Sequence, residues 1–267
     1  MPKVSVIMGV YNGLKRMDRS IKSIINQTFK DWEFVICDDG SADGSYEKLL
    51  SYANEDSRII VIKNLQNAGL EKTLNNCLSV AKGEYIARMD DDDNSLPDRL
   101  EKEVVFLDKH PEYDIVSTGR NMVDENGIWG KDTFMGEISA ADIFKGNMFA
   151  HPTVMIRKVA YDKVGGYSTY SAVRREEDTD LWCKMYCAGF KGYVTGEILY
   201  NYFESKNSMT RRKFKYRFAE TRIKLKYRKD LGVPFYMIPL AFKPIFVGML
   251  PKSVIEKYHH YIFNDTK

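Results

Sequence analysis

The chain runs from an apolar stretch directly into four aspartates at Tyr85-Ile-Ala-Arg-Met-Asp-Asp-Asp-Asp93. The apolar part has the length of a buried strand, so the aspartates begin where that strand ends. Carboxylate oxygens are hard ligands suited to Mg²⁺ or Mn²⁺, which takes one or two protein carboxylates and keeps sites for substrate phosphates. Because four adjacent like charges repel one another, a bound cation would relieve the arrangement. The alternative is a solvated acidic turn before the helix that Pro97 opens.

The residues before this stretch alternate short apolar runs with helical patterns. Strands are predicted at residues 4–8, 34–37 and 59–62, and helices at residues 14–26 and 70–81, with a further helix through Leu49 and Leu50. This alternation is typical of βαβ units, so we expect an α/β protein with a mostly parallel central sheet flanked by helices.

A second acidic loop, Asp38-Asp-Gly-Ser-Ala-Asp-Gly44, follows the second predicted strand. Ligands of open α/β sheets gather at the carboxyl ends of the strands, so the loops at Asp38 and Asp90 are expected to share one crevice. There a carboxylate could accept a hydrogen bond from the N3–H of uracil, and Tyr11, after the first strand, could stack on the base.

The second half of the chain has a more mixed pattern. A strand is predicted at residues 115–118, a turn at Asn126-Gly127, a strand near residues 153–156 and a helix over residues 178–187. A third acidic cluster, Glu176-Glu-Asp178, opens that last helix, where either a capping role or a chemical role is open.

Composition excludes several classes of protein. The chain has 267 residues, 44% hydrophobic and 29% charged, which excludes a disordered chain, a collagen and a disulfide miniprotein. Four cysteines without a CxxC pair favour reduced, buried thiols. The apolar stretch near Met1 is too short for a signal peptide, so we expect a cytoplasmic protein.

The formal net charge of +3 conceals an asymmetry. Residues 205–267 carry 15 Lys/Arg against 4 Asp/Glu, and ten of these basic residues lie within residues 211–229. Residues 232–251 are apolar but contain four prolines and Lys243, which argues against a spanning helix. We expect this segment to lie at an anionic membrane surface. The alternative is a segment that covers the protein's own core.

Six motifs, taken in order, resemble those of family 2 glycosyltransferases. The motifs are Val4-Ser-Val-Ile-Met-Gly-Val-Tyr-Asn12, Cys37-Asp-Asp-Gly-Ser-Ala-Asp43, Gly83-Glu-Tyr-Ile-Ala-Arg-Met-Asp-Asp-Asp-Asp93, Pro97-Asp-Arg-Leu-Glu101, His151-Pro-Thr-Val-Met155 and Glu177-Asp-Thr-Asp-Leu-Trp182. The resemblance implies a GT-A fold, a nucleotide-diphospho-sugar donor, a divalent metal (Mn²⁺ or Mg²⁺) and inversion at the anomeric carbon. We accordingly divide the chain into a GT-A domain over residues 1–204, with a nucleotide-sugar half (1–95) and an acceptor half (96–204), and a basic, apolar, helical extension over residues 205–267.

The resemblance also implies roles for individual residues. Asp178 matches the general base. Asp92 matches the expected metal ligand, although the extra carboxylate of Asp91 leaves the choice among Asp91, Asp92 and Asp93 open. The residues expected at the donor are Tyr11, Asp38, Asp39, Arg88, Asp90 and Asp91, and those expected at the metal are Asp92, Asp90 and His151. For Arg88, a structural ion pair is equally open.

The function expected from these features is metal-dependent transfer of a sugar from a UDP-sugar to a hydroxyl of a glycan acceptor in bacterial surface polysaccharide synthesis. We expect a lipid-linked acceptor and peripheral association with the inner face of the plasma membrane. Two alternatives are a sugar nucleotidyltransferase and a nucleotide-sugar-binding protein that has lost catalysis. A nucleic-acid partner is not expected, because residues 211–229 contain no recognisable DNA- or RNA-binding module.

Overall fold

The computed structural model of the chain describes residues 1–146, 148–170, 173, 175–204 and 214–264. Ten strands in these residues form one sheet. The strands are β1 (Val4–Val10), β2 (Trp32–Asp38), β3 (Ile59–Lys63), β4 (Tyr85–Arg88), β5 (Asn94–Ser95), β6 (Ile115–Asp124), β7 (Gly127–Asp132), β8 (Met135–Ile138), β9 (Val154–Arg157) and β10 (Gly192–Phe203). The helices are α1 (Met17–Ile25), α2 (Ser45–Glu55), α3 (Leu70–Val80), α4 (Arg99–Lys109), α5 (Ala140–Lys145), α6 (Lys158–Val164), α7 (Glu177–Cys187), α8 (Phe214–Tyr227), α9 (Ile238–Ala241), α10 (Lys243–Met249) and α11 (Lys252–Asn264).

The first half of the sheet is parallel, in the order β3-β2-β1-β4, with α1, α2 and α3 as the connections. Its strands are almost entirely apolar because helices cover both faces. The predicted strands and helices of this half are confirmed. Since β1, β2 and β4 run in one direction, the loops that follow them meet at one edge of the sheet.

The second half of the sheet is mixed. Strand β9 lies antiparallel between β4 and β6, and β10 pairs parallel with β6. The short strands β5, β7 and β8 are all antiparallel to their partners. The α/β architecture is therefore as predicted, with the parallel order confined to β1–β4 and to the β6–β10 pair.

Two apolar clusters form the core. One contains the inner faces of α1, α2 and α4, with Ile21, Leu49 and Leu100 fully buried. The other lies beneath α3, α5, α6 and α7 and includes Trp182 and Phe144. The GT-A core therefore has an apolar layer on each side of the sheet.

The C-terminal segment contributes to the second of these clusters. Ile223 and Tyr227 of α8, together with Leu231, Val233 and Met237, are buried in it, and α8 packs against α7. The described part of the predicted extension therefore covers the protein's own core, which is the alternative that the sequence left open. The predicted boundary between residues 204 and 205 borders residues 205–213, which lie outside the described residues.

The basic residues of α8 have several different environments. Lys224 is buried and pairs with Glu220 at 2.7 Å, while Arg217 and Arg228 donate to backbone carbonyls. Arg222 and Lys229 are exposed. Arg211, Arg212 and Lys213 lie outside the described residues. In the described part of the chain, no helix combines the length and the apolar character needed to cross a membrane.

Candidate active site

A cleft of about 370 Å³ opens at the carboxyl ends of β1, β2 and β4. The loops after these strands form one wall, and the first turns of α3 and α7 form the other. The acidic loops that begin at Asp38 and Asp90 thus share one crevice, as predicted from their positions at the carboxyl ends of strands. The cleft is lined by Gly9, Val10, Tyr11, Arg16, Asp39, Asn67, Gly69, Leu70, Glu71, Thr73, Asp90, Asp91, Asp92, Arg175 and Glu177.

The four consecutive aspartates separate as they leave β4. Asp90, Asp91 and Asp92 line the cleft, but Asp93 is fully buried outside it. Oδ1 of Asp93 accepts a hydrogen bond from the amide of Phe203 at 2.8 Å, and burial holds the pKa of this carboxyl well above its usual range. Asp93 is therefore placed to support β10 rather than to bind a ligand in the cleft.

Asp91 is occupied by an arginine that the sequence analysis did not single out. Arg16 donates from Nε and Nη2 to the two carboxylate oxygens of Asp91, at 3.0 and 2.8 Å. The same guanidinium also donates to the carbonyls of Tyr11 and Asn12. Gly13 permits this approach, because a Cβ there would lie 2.7 Å from Asp91 Oδ2. The bidentate pair fastens the loop after β1 to the loop after β4.

Asp92 presents its carboxylate to the cleft without an ion-pair partner among the described residues. Burial, followed by the charges of Asp90 and Asp91, raises the pKa of Asp92 to about 6. A carboxylate held at such a cost is stabilised by any cation that binds beside it. Of the three aspartates among which the sequence could not choose, Asp92 is the one free to take a metal ion.

The loop after β2 uses its two aspartates differently. Oδ1 of Asp39 accepts from the Asn64 side chain and the Ala68 amide at 2.7 and 2.8 Å, and Oδ2 accepts from the Gly69 amide at 3.0 Å. These bonds hold the Asp39 carboxylate at the cleft, where it keeps further acceptor positions. Asp38 is fully buried and accepts from the Ser41 amide at 3.1 Å. The structure therefore brings Asp39, but not Asp38, to the cleft.

Two predicted site residues lie behind the cleft instead of lining it. Arg88 is 1% exposed and forms an ion pair with Asp90, the role that the sequence left open beside donor binding. His151 Nε2 hydrogen-bonds the hydroxyl of Tyr167 at 2.8 Å, and the ring packs against Trp182. Burial, and then the charge of Arg88, holds the pKa of His151 well below its usual range, so the imidazole is neutral. Neither side chain is among those that line the cleft.

The first turn of α7 brings a further carboxylate to the cleft. Glu177 lines the cleft, and its Oε2 is buried with no hydrogen-bond partner in the described part of the chain. Burial, and then the charge of Asp178, raises the pKa of Glu177 to about 7. Asp178, the predicted base, is half-buried at the same turn, and its Oδ1 accepts from the Thr179 amide at 2.7 Å. The helix start therefore offers two adjacent carboxylates of different character.

Residues 5–181 match the sequence model of Glycosyl transferase family 2. The chain belongs to this family. It is 40% identical over 259 residues to the putative glycosyltransferase EpsE of Bacillus subtilis, covering 97% of this chain and 93% of that one. It is 35% identical over 204 residues to the O-antigen biosynthesis glycosyltransferase WbnJ of Escherichia coli, covering 74% and 78% of the two chains.

Solved structures show the same fold. The N-terminal part of Staphylococcus aureus TarS, in complex with UDP-GlcNAc, superposes with a TM-score of 0.69 at 19% identity, covering 94% of this chain and 82% of that one. The mannosyltransferase PcManGT of Pyrobaculum calidifontis, in complex with GDP-Man and Mn²⁺, gives a TM-score of 0.62 at 16% identity over 98% and 80% of the chains. The GT-A fold predicted from the motifs is thereby confirmed.

The charge of the cleft tests whether a divalent cation fits this transferase. Six carboxylates line the cleft against two guanidinium groups, Arg16 and Arg175, among the described residues. An anionic diphosphate would be repelled by this excess of negative charge unless a cation came with it. The described residues hold no cluster of three or more His, Cys, Asp or Glu that could enclose a metal alone. The cleft therefore suits an ion held by one or two carboxylates and completed by substrate phosphates.

Sequence reasoning missed several side chains of the cleft, among them Arg16, Glu71, Arg175 and Glu177. Glu177 stood in a quoted motif, but nothing in the sequence indicated that it, and not its neighbour, lines the cleft. Arg16 could not be found because its partner Asp91 lies 75 residues away. Arg175 adopts a left-handed backbone with φ of 70°, which is uncommon for a residue with a side chain and is frequent at functional sites.

Proposed function

We propose that this transferase moves a sugar from a UDP-sugar to a hydroxyl of a glycan acceptor, with inversion at the anomeric carbon, in the synthesis of a bacterial surface polysaccharide. The observation that carries the proposal is the single cleft that joins Tyr11 and Asp39 at one end to Asp90 and Asp92 at the other. A nucleoside-diphosphate sugar needs both ends, one for its base and the other for its diphosphate. The UDP-GlcNAc bound by TarS and the O-antigen role in the name of WbnJ support the donor class and the product class.

The nucleoside end of the cleft would be read by two groups. Tyr11 is 47% exposed at the mouth of the cleft and offers a ring on which a base can stack. Asp39 is fixed by three hydrogen bonds and has acceptor capacity left for the N3–H of uracil. A carboxylate in this position favours uracil over cytosine, because the N3 atom of cytosine carries no hydrogen.

The diphosphate end would be served by Asp90 and Asp92, with Mn²⁺ or Mg²⁺ as the cofactor. Bound there, the ion would act as a Lewis acid that stabilises the charge developing on the departing UDP. Arg88 beneath Asp90 holds that carboxylate in place, and Arg175 adds a cation at the rim of the cleft. His151 is no longer part of the proposed metal site, because its ring lies behind the cleft.

The acceptor hydroxyl must lose its proton as the new glycosidic bond forms, and a carboxylate on the face opposite the leaving group can take that proton. Asp178 is the base that the family motif indicates. Glu177 is a second candidate, because its carboxylate lines the cleft and has a pKa of about 7, close to the optimum for a general base at neutral pH. A single displacement needs only one of them.

A donor screen tests the proposal. Each donor, a UDP-, GDP- or dTDP-sugar, is added with Mn²⁺, with Mg²⁺ or with EDTA. Two quantities are measured: the melting temperature of the protein, and the rate at which the donor is hydrolysed to release its nucleotide. We expect stabilisation and turnover with a UDP-sugar plus metal, and neither with EDTA. Formation of pyrophosphate from UTP and a sugar phosphate would instead indicate a nucleotidyltransferase. Binding without turnover, with acceptor glycans supplied, would indicate a protein that has lost catalysis.

We also propose that the acceptor is lipid-linked and that the transferase is cytoplasmic and docks on the inner face of the plasma membrane through its C-terminal segment. The support is a series of exposed apolar side chains in residues 235–250: Phe235, Tyr236, Leu240, Phe242, Phe246, Met249 and Leu250. Several basic residues of α8 form contacts within the protein. Insertion of the apolar side chains should therefore contribute more to membrane binding than the sequence indicated.

Vesicle co-sedimentation tests the docking. The full-length chain is mixed with anionic and with neutral vesicles at low and at high salt. We expect binding that is stronger on anionic vesicles and that persists in part at high salt. Replacing Phe235 and Tyr236 by Ser should release most of it, whereas Phe134→Ser, an exposed aromatic elsewhere, should not. Negligible binding to both lipids, or equal binding by all variants, would contradict the proposal.

A further inference from the structure

The aspartate loop, residues 91–95, carries the candidate metal ligand and lies along one side of α1. Four polar side chains, from α1 and from the residue that precedes it, contact four residues of this loop in the same order. The pairs are Arg16 with Asp91, Arg19 with Asp92, Ser20 with Asp93 and Ser23 with Ser95. The four side chains are spaced i, i+3, i+4 and i+7, so they share one face of the helix. The polar face of α1 therefore fixes the course of the aspartate loop.

Three of these contacts are made to the backbone of the loop. The hydroxyl of Ser20 donates to the carbonyl of Asp93 at 2.8 Å. The amide of Ser95 donates to the hydroxyl of Ser23 at 3.1 Å. Nη2 of Arg19 donates to the carbonyl of Asp92. Of the four side chains, Arg19 is therefore the one that holds the peptide of Asp92 itself.

The guanidinium of Arg19 is also held from a second side. It lies over the ring of Phe203, at the end of β10, with Cζ 3.4 Å from the ring centroid. The amide of Phe203 in turn donates to Asp93 Oδ1 at 2.8 Å. These contacts form a closed cycle that joins α1, the aspartate loop and β10. A guanidinium that is both stacked and hydrogen-bonded keeps little freedom, so it fixes the carbonyl to which it donates.

The direction of the Asp92 carboxylate depends on this backbone. The carboxylate lines the cleft and forms no ion pair within the described ranges, so no oppositely charged side chain orients it. The contacts that surround a metal ligand orient it toward the ion, and losing one of them typically lowers metal affinity about 10- to 100-fold. Arg19 is not among the residues that line the cleft, so its effect on a bound ion would pass through Asp92.

We propose that Arg19 is a positioning residue, which holds the peptide of Asp92 so that its carboxylate is directed at a divalent cation in the cleft. The inference rests on the proposed function, because the cation belongs to that function. The role differs from that of Arg16, which contacts the side chain of Asp91. The alternative is that Arg19 only stabilises the fold through its contact with Phe203.

Substitutions on α1 test this role, with Mn²⁺ as the probe. Arg19→Met removes the donor but leaves a flexible, unbranched side chain to pack on the ring of Phe203. Arg19→Lys keeps a charged donor. Lys22→Ala, at an exposed position of the same helix, is the matched control. Binding of Mn²⁺ at saturating UDP is measured by electron paramagnetic resonance, and the melting temperature of each chain is measured without metal.

We expect Arg19→Met to weaken Mn²⁺ binding about 10- to 100-fold and Arg19→Lys to recover most of the lost affinity. Lys22→Ala should bind Mn²⁺ as the wild type does. Ser23→Ala separates positioning from stability, because it removes a contact on the same helix face that does not involve Asp92. This variant should melt at a lower temperature, since the amide of Ser95 loses its partner, but its affinity for Mn²⁺ should be unchanged.

Wild-type affinity for Mn²⁺ in Arg19→Met would overturn the positioning role and leave the proposed metal site intact. An equal loss of affinity in Arg19→Met and Ser23→Ala would overturn the role as well, because the loss would then follow the stability of the loop. No binding of Mn²⁺ by the wild type with UDP would overturn the proposed metal site, and the role of Arg19 with it. The two proposals therefore fail through different results.

Discussion

Four consecutive aspartates of identical chemistry occupy four environments in this transferase. Asp90 is paired with Arg88 beneath it, Asp91 with Arg16 across the cleft, and Asp93 is buried against β10. Among the four, only the carboxylate of Asp92 forms neither an ion pair nor a hydrogen bond to the backbone of another residue in the described part of the chain. Asp92 is therefore the residue of the run that we propose as a metal ligand, while its neighbours build the wall around it.

We expect Asp92→Asn to abolish metal-dependent UDP binding, because it removes one of the few carboxylates available to the ion. Asp91→Asn is the matched control. It breaks the bidentate pair with Arg16, but because the Arg16 side chain is 41% exposed, the loss in the free energy of unfolding should be about 1 kcal/mol or less, while metal-dependent binding stays within a few-fold. Calorimetry with UDP and Mn²⁺, and urea unfolding, measure the two effects. Wild-type affinity in Asp92→Asn would remove Asp92 from the proposed metal site.

The two carboxylates at the start of α7 can be separated by substitution. We expect Asp178→Asn to lower transfer by about 10² to 10⁴, the range typical of losing a general base, with UDP binding nearly intact. Glu177→Gln should act mainly on KM, because Glu177 lines the cleft where the donor would sit. Steady-state kinetics on both variants decides the assignment. If the large loss in kcat follows Glu177 instead, that residue is the base and Asp178 serves the helix start.

At the scale of single elements, helix α4 is the clearest example of a helix with buried ionisable side chains. Arg99 and Glu103 lie one turn apart on its inner face and are fully buried. Burial, partly opposed by Arg99, raises the pKa of Glu103 from 4.5 to about 7. The folded chain therefore keeps a proton on Glu103 at a pH where the unfolded chain has released it.

This difference makes the contribution of α4 to stability depend on pH. Between pH 4.5 and about 7, raising the pH removes from the folded state a proton that the unfolded state no longer holds, so the free energy of unfolding falls. Glu103→Gln cannot ionise, and the stability of the wild type relative to this variant should therefore be greatest near pH 4.5 and become constant above pH 7. Urea unfolding of both chains from pH 4.5 to 8 measures the difference. A constant difference between the two chains over this range would show that Glu103 is ionised throughout.

At the scale of the whole molecule, the C-terminal segment is part of the catalytic domain's core as well as a candidate membrane contact. Its inward side chains, among them Ile223, Tyr227 and Leu231, pack beneath α7, the helix that carries the candidate base. Its outward side chains from residue 235 onward are apolar and exposed. The position of the candidate base and the proposed contact with a bilayer would therefore both depend on one segment.

Truncation should distinguish these two roles. A chain ending at Glu204 is expected to expose the apolar surface beneath α5 and α7 and to aggregate, because burial of several large side chains is lost. A chain ending at Pro251 lacks α11, which is mostly exposed and packs against β7, and should stay folded without aggregating. Aggregation of the two truncated chains is compared by size-exclusion chromatography, and their exposed apolar surface is compared by dye binding. A soluble, folded chain of residues 1–204 would contradict the core-covering role.

The sequence predicted much of the first half of the molecule because the relevant signals there are local. The apolar runs of β1 to β4 and the helical spacing of α1 to α3 are read over a few residues, and the right-handed connections of parallel strands leave little choice of order. Because both acidic loops follow predicted parallel strands, the sequence also predicted, without any coordinates, that the loops at Asp38 and Asp90 meet at one edge.

By itself, then, the sequence determined the fold class, the edge of the sheet at which the cleft opens and the kinds of side chain found there. Only the tertiary structure decided which aspartate is free, because Arg16 reaches Asp91 across 75 residues and Phe203 reaches Asp93 across 110. The same holds for the basic residues of α8. Such assignments depend on pairings between distant parts of the chain, and no local pattern of residues records which pairings form.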